Sequence, residues 1–366
     1  MSYLIHPPVR HDPSFEQIGP GEAEAVASVT ESLLKIARIT HADEGRGLRA
    51  VHAKSHALLQ GELRVLDYLP AELQQGLLQR PARYPVVMRL STTPGDLLDD
   101  RVSTPRGLAL KVLDVKGPRL PGSERDSSQD FLMVNSPAFL QRDASSFARS
   151  LKLLAATTDK AEGAKRLLSA VLRGAEHLLD AVDAGSGTLK ALGGEPLHHP
   201  LGETYFTQLP FLYGAYMAKL CLVPVSPQLR ALTGAPVDLR GRPDGLREAA
   251  HAFFAAHAAE WELRVQLCID VDRMPIEDAT MHWPETHSPY IAVAQIHVPR
   301  QPAWTPELTP AQEDALFFSP WHGLAAHRPL GSINRVRKAA YEASGHARAE
   351  RNGVAHGAQC PFHRLL

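Results

Sequence analysis

Arg337-Lys338-Ala339-Ala340-Tyr341, continued to Arg348, is the stretch on which the reading of this 366-residue chain turns. On a helix, the offsets of four and eleven residues from Arg337 to Tyr341 and Arg348 return to nearly one azimuth, within about 40°. The three side chains therefore form one stripe, a phenol flanked by two guanidinium groups. A buried phenol gains from such neighbours only when it becomes a phenolate, for instance as a metal ligand. The surrounding pattern predicts a helix from 333 to about 351, with Gly353 placed to cap it.

Three shorter stretches earlier in the chain make sense beside that helix: Arg49-Ala50-Val51-His52-Ala53-Lys54, Arg89-Leu90-Ser91 and Val134-Asn135-Ser136-Pro137. Strand-like runs are read at 48–66, 84–91, 107–115 and 131–134, separated by turns rich in Pro, Gly, Asp and Ser; the first two hold the Arg49 and Arg89 stretches and the last leads into Asn135. Strict alternation would put Arg49 and His52 on opposite faces, so a twist or bulge is expected between them. Strand patterns resume at 204–209, 215–224, 262–270 and 290–298. Helical spacing marks 21 to about 37, 246–259, and one or two helices across 145–182. The expected fold class is α+β, an antiparallel β-barrel with helical insertions and a C-terminal helix carrying Tyr341. Residues 1–44 read as an arm and a helix. Residues 45–366 read as one domain, with a proline-rich wrapping stretch at about 299–330.

The bulk numbers fit an ordinary globular protein, with 44% hydrophobic and 22% charged residues. Lys+Arg (39) nearly cancels Asp+Glu (40), which leaves no electrostatic footprint for nucleic acid or an anionic membrane. No stretch approaches a transmembrane span. Cys221, Cys268 and Cys360 are odd in number and far apart, which fits a reducing compartment rather than a disulfide framework. The opening Met1-Ser2-Tyr3-Leu4-Ile5-His6-Pro7-Pro8 lacks the charged start and apolar run of a secretory signal, so a cytoplasmic protein is expected. His356, Cys360 and His363 have loosely metal-like spacing, but two or three ligands near a terminus read as a poor site.

Taken in order, these segments resemble the haem catalases. Arg49-x-Val51-His52-Ala53-Lys54 is similar to the distal-histidine segment, and Arg89-Leu90-Ser91-Thr92 to the Arg-Phe-Ser-Thr segment of that family. Pro105-Arg106-Gly107 through Lys111, the Asn135-Ser136-Pro137 loop with Arg142-Asp143, and Arg337-x3-Tyr341-x6-Arg348 complete the series. The resemblance implies a catalase-type barrel without the flavodoxin-like C-terminal domain that some members carry. It implies haem of the b type, with Tyr341 as the axial iron ligand and Arg337 beside it. His52 would be the acid–base group, Asn135 would hold peroxide, and Ser91 would fix the imidazole. Arg49, Arg89 and Arg348 would anchor the haem propionates, because guanidinium pairs carboxylate bidentately. Phe147 and Val51 would pack against the porphyrin.

Departures from the pattern shape the expected activity. Thr104 stands where catalases usually have an acid before Pro-Arg-Gly, Thr93 replaces an apolar channel residue, and Ser55 replaces a glycine. The expectation is a peroxide-consuming oxidoreductase, a peroxidase with some catalase activity, acting on hydrogen peroxide or an organic hydroperoxide with an organic electron donor. One alternative on the same scaffold is a fatty-acid hydroperoxide dehydratase or isomerase resembling allene oxide synthase, against which Val51 argues, since that branch typically carries threonine there. A haem carrier or sensor with little turnover is a second. Partners beyond a small-molecule peroxide would be further copies of the chain, as a homo-oligomer.

Overall fold

The computed structural model describes residues 6–158, 196–307 and 309–355. Among the described residues nine strands follow one another as β1 (Lys54–Val65), β2 (Arg83–Thr92), β3 (Arg106–Val112), β4 (Gln129–Val134), β5 (Tyr205–Phe206), β6 (Phe211–Tyr213), β7 (Tyr216–Pro224), β8 (Ala259–Leu267) and β9 (Ile291–Val298). The helices that matter here are α1 (Glu22–Glu44), α2 (Ala144–Thr157), α3 (Gly245–Ala256), α4 (Thr309–Ala315) and α5 (Ser332–Arg351).

All ladders are antiparallel, in the order β5-β4-β3-β2-β1-β9-β8-β7-β6, and β5 also pairs with β7. That last pairing closes eight strands into a barrel, with β6 hydrogen-bonded along the same edge of β7 as β5. Closure removes the free edges that an open sheet would present. Inside, alternate residues supply the filling: Met88 and Leu90 on β2, Leu108 and Leu110 on β3, Leu263 and Val265 on β8, Ala294 and Ile296 on β9. Each side chain of this size buried there contributes roughly 1.5–3 kcal/mol. The barrel interior is thus a packed core, and any site must lie outside it.

The intervening residues of β2–β4 point the other way, as the period of two requires. They put Val87, Arg89, Ser91, Gly107, Ala109, Lys111 and Leu132 on the outer face. The segment after α4 covers part of that face with Leu316 and Phe318. Over it lies a helical layer in which α1, α2 and α5 share a core of Val29, Leu33, Ile36, Ala148, Leu151, Val336 and Ala340.

Both ends of α5 are fixed. At its start, Arg335 pairs with Glu16, Glu22 and Glu277, and Ser332 donates its N–H to Glu277. At its end, Gly353 takes φ 65°, and the N–H groups of Gly353 and Val354 return to the carbonyls of Glu350 and Ala349. That is a Schellman stop, as the sequence predicts for Gly353. Tyr341 therefore sits in mid-helix on a rod held at both ends. No helix among the described residues is long and apolar enough to cross a membrane. The expected helical pattern beyond Thr158 and the His356, Cys360 and His363 group lie outside the described residues.

Candidate active site

The histidine sits on a turn rather than on a strand. The reading of 48–66 as one strand is corrected here: β1 begins only at Lys54, and His52 takes φ 54° in the left-handed region. The backbone bonds of this segment go elsewhere. Ala53 donates its N–H to Pro94, while Arg89 donates from Nη1 to the His52 carbonyl (2.9 Å) and from Nη2 to the Ala53 carbonyl (3.0 Å). The turn removes the conflict between Arg49 and His52, because strand alternation does not apply across it.

The turn lays the imidazole on the outer barrel face. His52 Nδ1 lies 3.3 Å from Ser91 Oγ. Beneath the ring is Gly107, the cross-strand partner of Ser91, and a Cβ there would stand 2.5 Å from Nδ1. Gly107 is thus the platform that makes room for the ring. Burial first, then the positive charges of Arg89 and Arg337, push the His52 pKa down to about 3. The imidazole is neutral at ordinary pH. Nδ1 faces the Ser91 hydroxyl, so Nε2 is the ring nitrogen directed away from that contact.

Asn135 follows β4 at the same level of the sheet. Its Oδ1 accepts from the Arg106 N–H (3.0 Å), and its Nδ2 donates to Glu203 (2.7 Å). Glu203 also pairs with the fully buried Arg106 at 3.0 Å. The amide is therefore oriented from both ends, one residue away from Gly107. Thr104 donates to the carbonyl of Thr93, so the two threonines that depart from the family pattern touch each other.

On the helical side, Arg337 donates from Nη2 to the Tyr341 hydroxyl (3.1 Å), and its guanidinium carbon lies 5.0 Å from the ring centroid. Arg337 also borders a small cavity with Leu132, Thr207, Leu209 and Asn334. The same guanidinium acts electrostatically on His52. Phe147, on α2, meets Phe139 edge-on with 5.3 Å between centroids, and Val51 packs on the helical core.

The third stripe residue parts company with the other two. Arg348 donates to the carbonyls of Glu313 (3.0 Å), Asp314 (3.2 Å) and Leu316 (2.6 Å) at the end of α4. Arg49 donates to Glu313 O and Leu316 O as well, and both Arg49 and Arg89 reach the Glu313 carboxylate, at 3.4 and 3.1 Å. Arg46 pairs with Asp314 at 2.7 Å. Four guanidinium groups thus meet two carboxylates. The crowding registers on Arg49, whose protonation burial disfavours first and the neighbouring Arg89 and Arg348 disfavour next.

The structure accordingly joins His52 to Ser91, Arg337 to Tyr341, and Arg49, Arg89 and Arg348 around α4. It directs Asn135 to Glu203. Sequence reading missed Glu313, Glu203 and Gly107 as working parts. Only Gly107 left a trace, as a glycine facing outward on a strand between Arg106 and an apolar run. His322 lies 3.5 Å from Asp126, and His327 sits among Phe131, Phe211 and Tyr213 while its Nε2 accepts from the Leu77 N–H. Both are held by structural contacts.

No protein-family model matches the chain, and no curated protein matches it. Solved structures do. A fungal catalase superposes with a TM-score of 0.57 at 18% identity, covering 86% of this chain and 61% of its own. A bacterial catalase gives a TM-score of 0.57 at 17% identity, covering 90% and 61%. The chain thus spans 61% of the length of each. The closed antiparallel eight-strand barrel with its helices is, in these comparisons, the catalase fold.

Proposed function

We propose that the chain is a haem-dependent oxidoreductase that consumes hydrogen peroxide or an organic hydroperoxide, working as a peroxidase with some catalase activity. One observation carries the reading. The Arg337 guanidinium donates to the Tyr341 phenol and also lowers the pKa of the His52 imidazole, so both groups lie within the electrostatic reach of one arginine.

The residues fit the cofactor by charge. The arginines around α4 outnumber its carboxylates, and the two propionates of haem would bring two further negative charges to them. Arg49, Arg89 and Arg348 would hold those groups, Tyr341 would ligate the iron through its phenolate, and Val51 and Phe147 would line the ring. Haem supplies a redox-active iron, and an anionic tyrosine ligand of the kind catalases use favours peroxide cleavage at it.

The protein's own part is proton handling. His52 would take a proton from one peroxide oxygen and return it to the other, which leaves as water, or as the alcohol of an organic hydroperoxide; haem, when bound, would supply the two electrons and take the remaining oxygen. Ser91 and Gly107 hold the ring in place on the outer face of the barrel. Asn135 donates an amide N–H to the peroxide while Glu203 and the Arg106 N–H keep it aimed. Free, buried Cys221 and Cys268 suit a reducing, cytoplasmic setting.

The test is the absorption spectrum of protein supplied with ferric haem, followed by an oxygen-electrode trace with hydrogen peroxide. A Soret band and peroxide consumption are expected. His52→Ala should keep the band and lose roughly 10²–10⁴-fold in peroxide cleavage. Full activity in that variant, or bound haem inert to peroxide in the unaltered chain, overturns the reading.

A further inference from the structure

Glu313 has no role in the chemistry above, yet it holds a central place in the arginine cluster. It is buried, on a helix of seven residues, and its carboxylate meets Arg89 Nε at 3.1 Å and Arg49 Nη1 at 3.4 Å. Burial alone would raise its pKa, but Arg89 and Arg49 beside it hold the carboxyl below its ordinary value, so it is ionised. The two guanidinium groups it engages are two of the three proposed for the propionates. An arginine fork already filled by a carboxylate cannot offer the same N–H groups to a second one.

We propose that Glu313 is a built-in competitor for the cofactor's carboxylates, engaging Arg49 and Arg89 in the cofactor-free protein and yielding them when haem is captured. The proposal rests on the haem reading and deepens it. Without Glu313 the cofactor-free chain would bury Arg49 and Arg89 against each other with no carboxylate between them. With it, the cluster is assembled in advance, and capture becomes an exchange of one carboxylate for another. The exchange needs only that the α4 side chain swing aside. The helix itself stays attached through Arg49 and Arg348 to its terminal carbonyls and through Arg46 to Asp314.

The experiment compares the unaltered chain with Glu313→Gln, titrated with ferric haem and with haem dimethyl ester, whose propionates carry no charge. Removing the competitor should tighten haem binding roughly tenfold to a hundredfold, as expected for charge-assisted hydrogen bonds no longer exchanged. Ester binding should not move. The variant's Tm should fall in the cofactor-free form and match the unaltered chain when loaded. Unchanged or weaker haem binding, or an equal loss of Tm in both forms, overturns the proposal. A chain that binds neither haem nor ester refutes the haem reading and this proposal together, whereas binding of both with Glu313→Gln unmoved removes only the role of Glu313. Should Glu313→Gln not fold, Glu313→Asp, which keeps the charge but shortens its reach to Arg49 and Arg89, takes its place: tighter haem binding with ester binding unmoved is expected, and unchanged or weaker haem binding contradicts the proposal.

Discussion

Replacing Gly107 by alanine pushes on the His52 imidazole without altering any proposed functional side chain. The added methyl carbon would stand 2.5 Å from His52 Nδ1, 2.6 Å from Cε1 and 3.2 Å from Ser91 Oγ. Non-bonded contacts relax near about 3.5 Å, so the ring must retreat by about 1 Å. It has little freedom to do so. His52 already occupies a left-handed φ, and its carbonyl and that of Ala53 are pinned by Arg89. The bond to Ser91, 3.3 Å as it stands, would be the first to break. A displacement of about 1 Å at a reacting group costs on the order of a hundredfold in rate, and overpacking of this kind costs about 1–3 kcal/mol of stability. Stopped-flow mixing of the haem-loaded variant with hydrogen peroxide should show that loss with the haem content intact. Gly61→Ala is the control, since its methyl group meets the His297 backbone on β9, away from the site, and should lower Tm alone. A Gly107→Ala protein that reacts at the unaltered rate would refute the wedged placement of the ring.

The remaining predictions concern stability. His52, pushed down to about 3, and His199 and His327, each pushed down to about 4, are lowered chiefly by burial, while unfolded histidine titrates near 6.5. Between those values the unfolded chain binds more protons, so stability falls as pH drops below about 6.5, by about 1.4 kcal/mol per pH unit for each histidine. Asp130, pushed up to about 6 by burial, works in the opposite sense and offsets one of them between its unfolded value and pH 6. Denaturant midpoints measured from pH 7.5 to 4.5 should therefore fall steeply, and a flat profile would contradict the neutral buried imidazoles. Arg335→Ala would leave Glu16, Glu22 and Glu277 to repel one another at the first turn of α5, with a loss of about 3–5 kcal/mol. An unchanged Tm in that variant would show that α5 is anchored by other contacts.

Much of the barrel is legible in the sequence because its strands are filled on one face by period-two apolar residues. β2, β8 and β9 fall within a few residues of the expected runs. The misses have local causes. The run at 204–209 shrinks to Tyr205–Phe206 because Gln208 turns the chain at φ 59°, and the run at 107–115 stops at Val112 shortly before Asp114 does the same. Helix α1 outlasts its apolar face, continuing from Ala37 to Glu44 on helix propensity until Gly45 caps it at φ 68°. At the site, the pairs Arg337–Tyr341 and His52–Ser91 were readable, the first from helix period and the second through the family resemblance. Glu313 and Glu203 were not, since each meets its arginine across a long loop of sequence, and a single glutamate carries no pattern of its own.

The proposed haem site depends most on Tyr341, the residue proposed to hold iron. The decisive measurement is the absorption and low-temperature electron paramagnetic resonance spectra of ferric-haem-loaded protein, taken for the unaltered chain and for Tyr341→Phe. A high-spin ferric signal with its Soret band in the unaltered chain, weakened or shifted in the variant, is the predicted result. Identical spectra from the two proteins would contradict it.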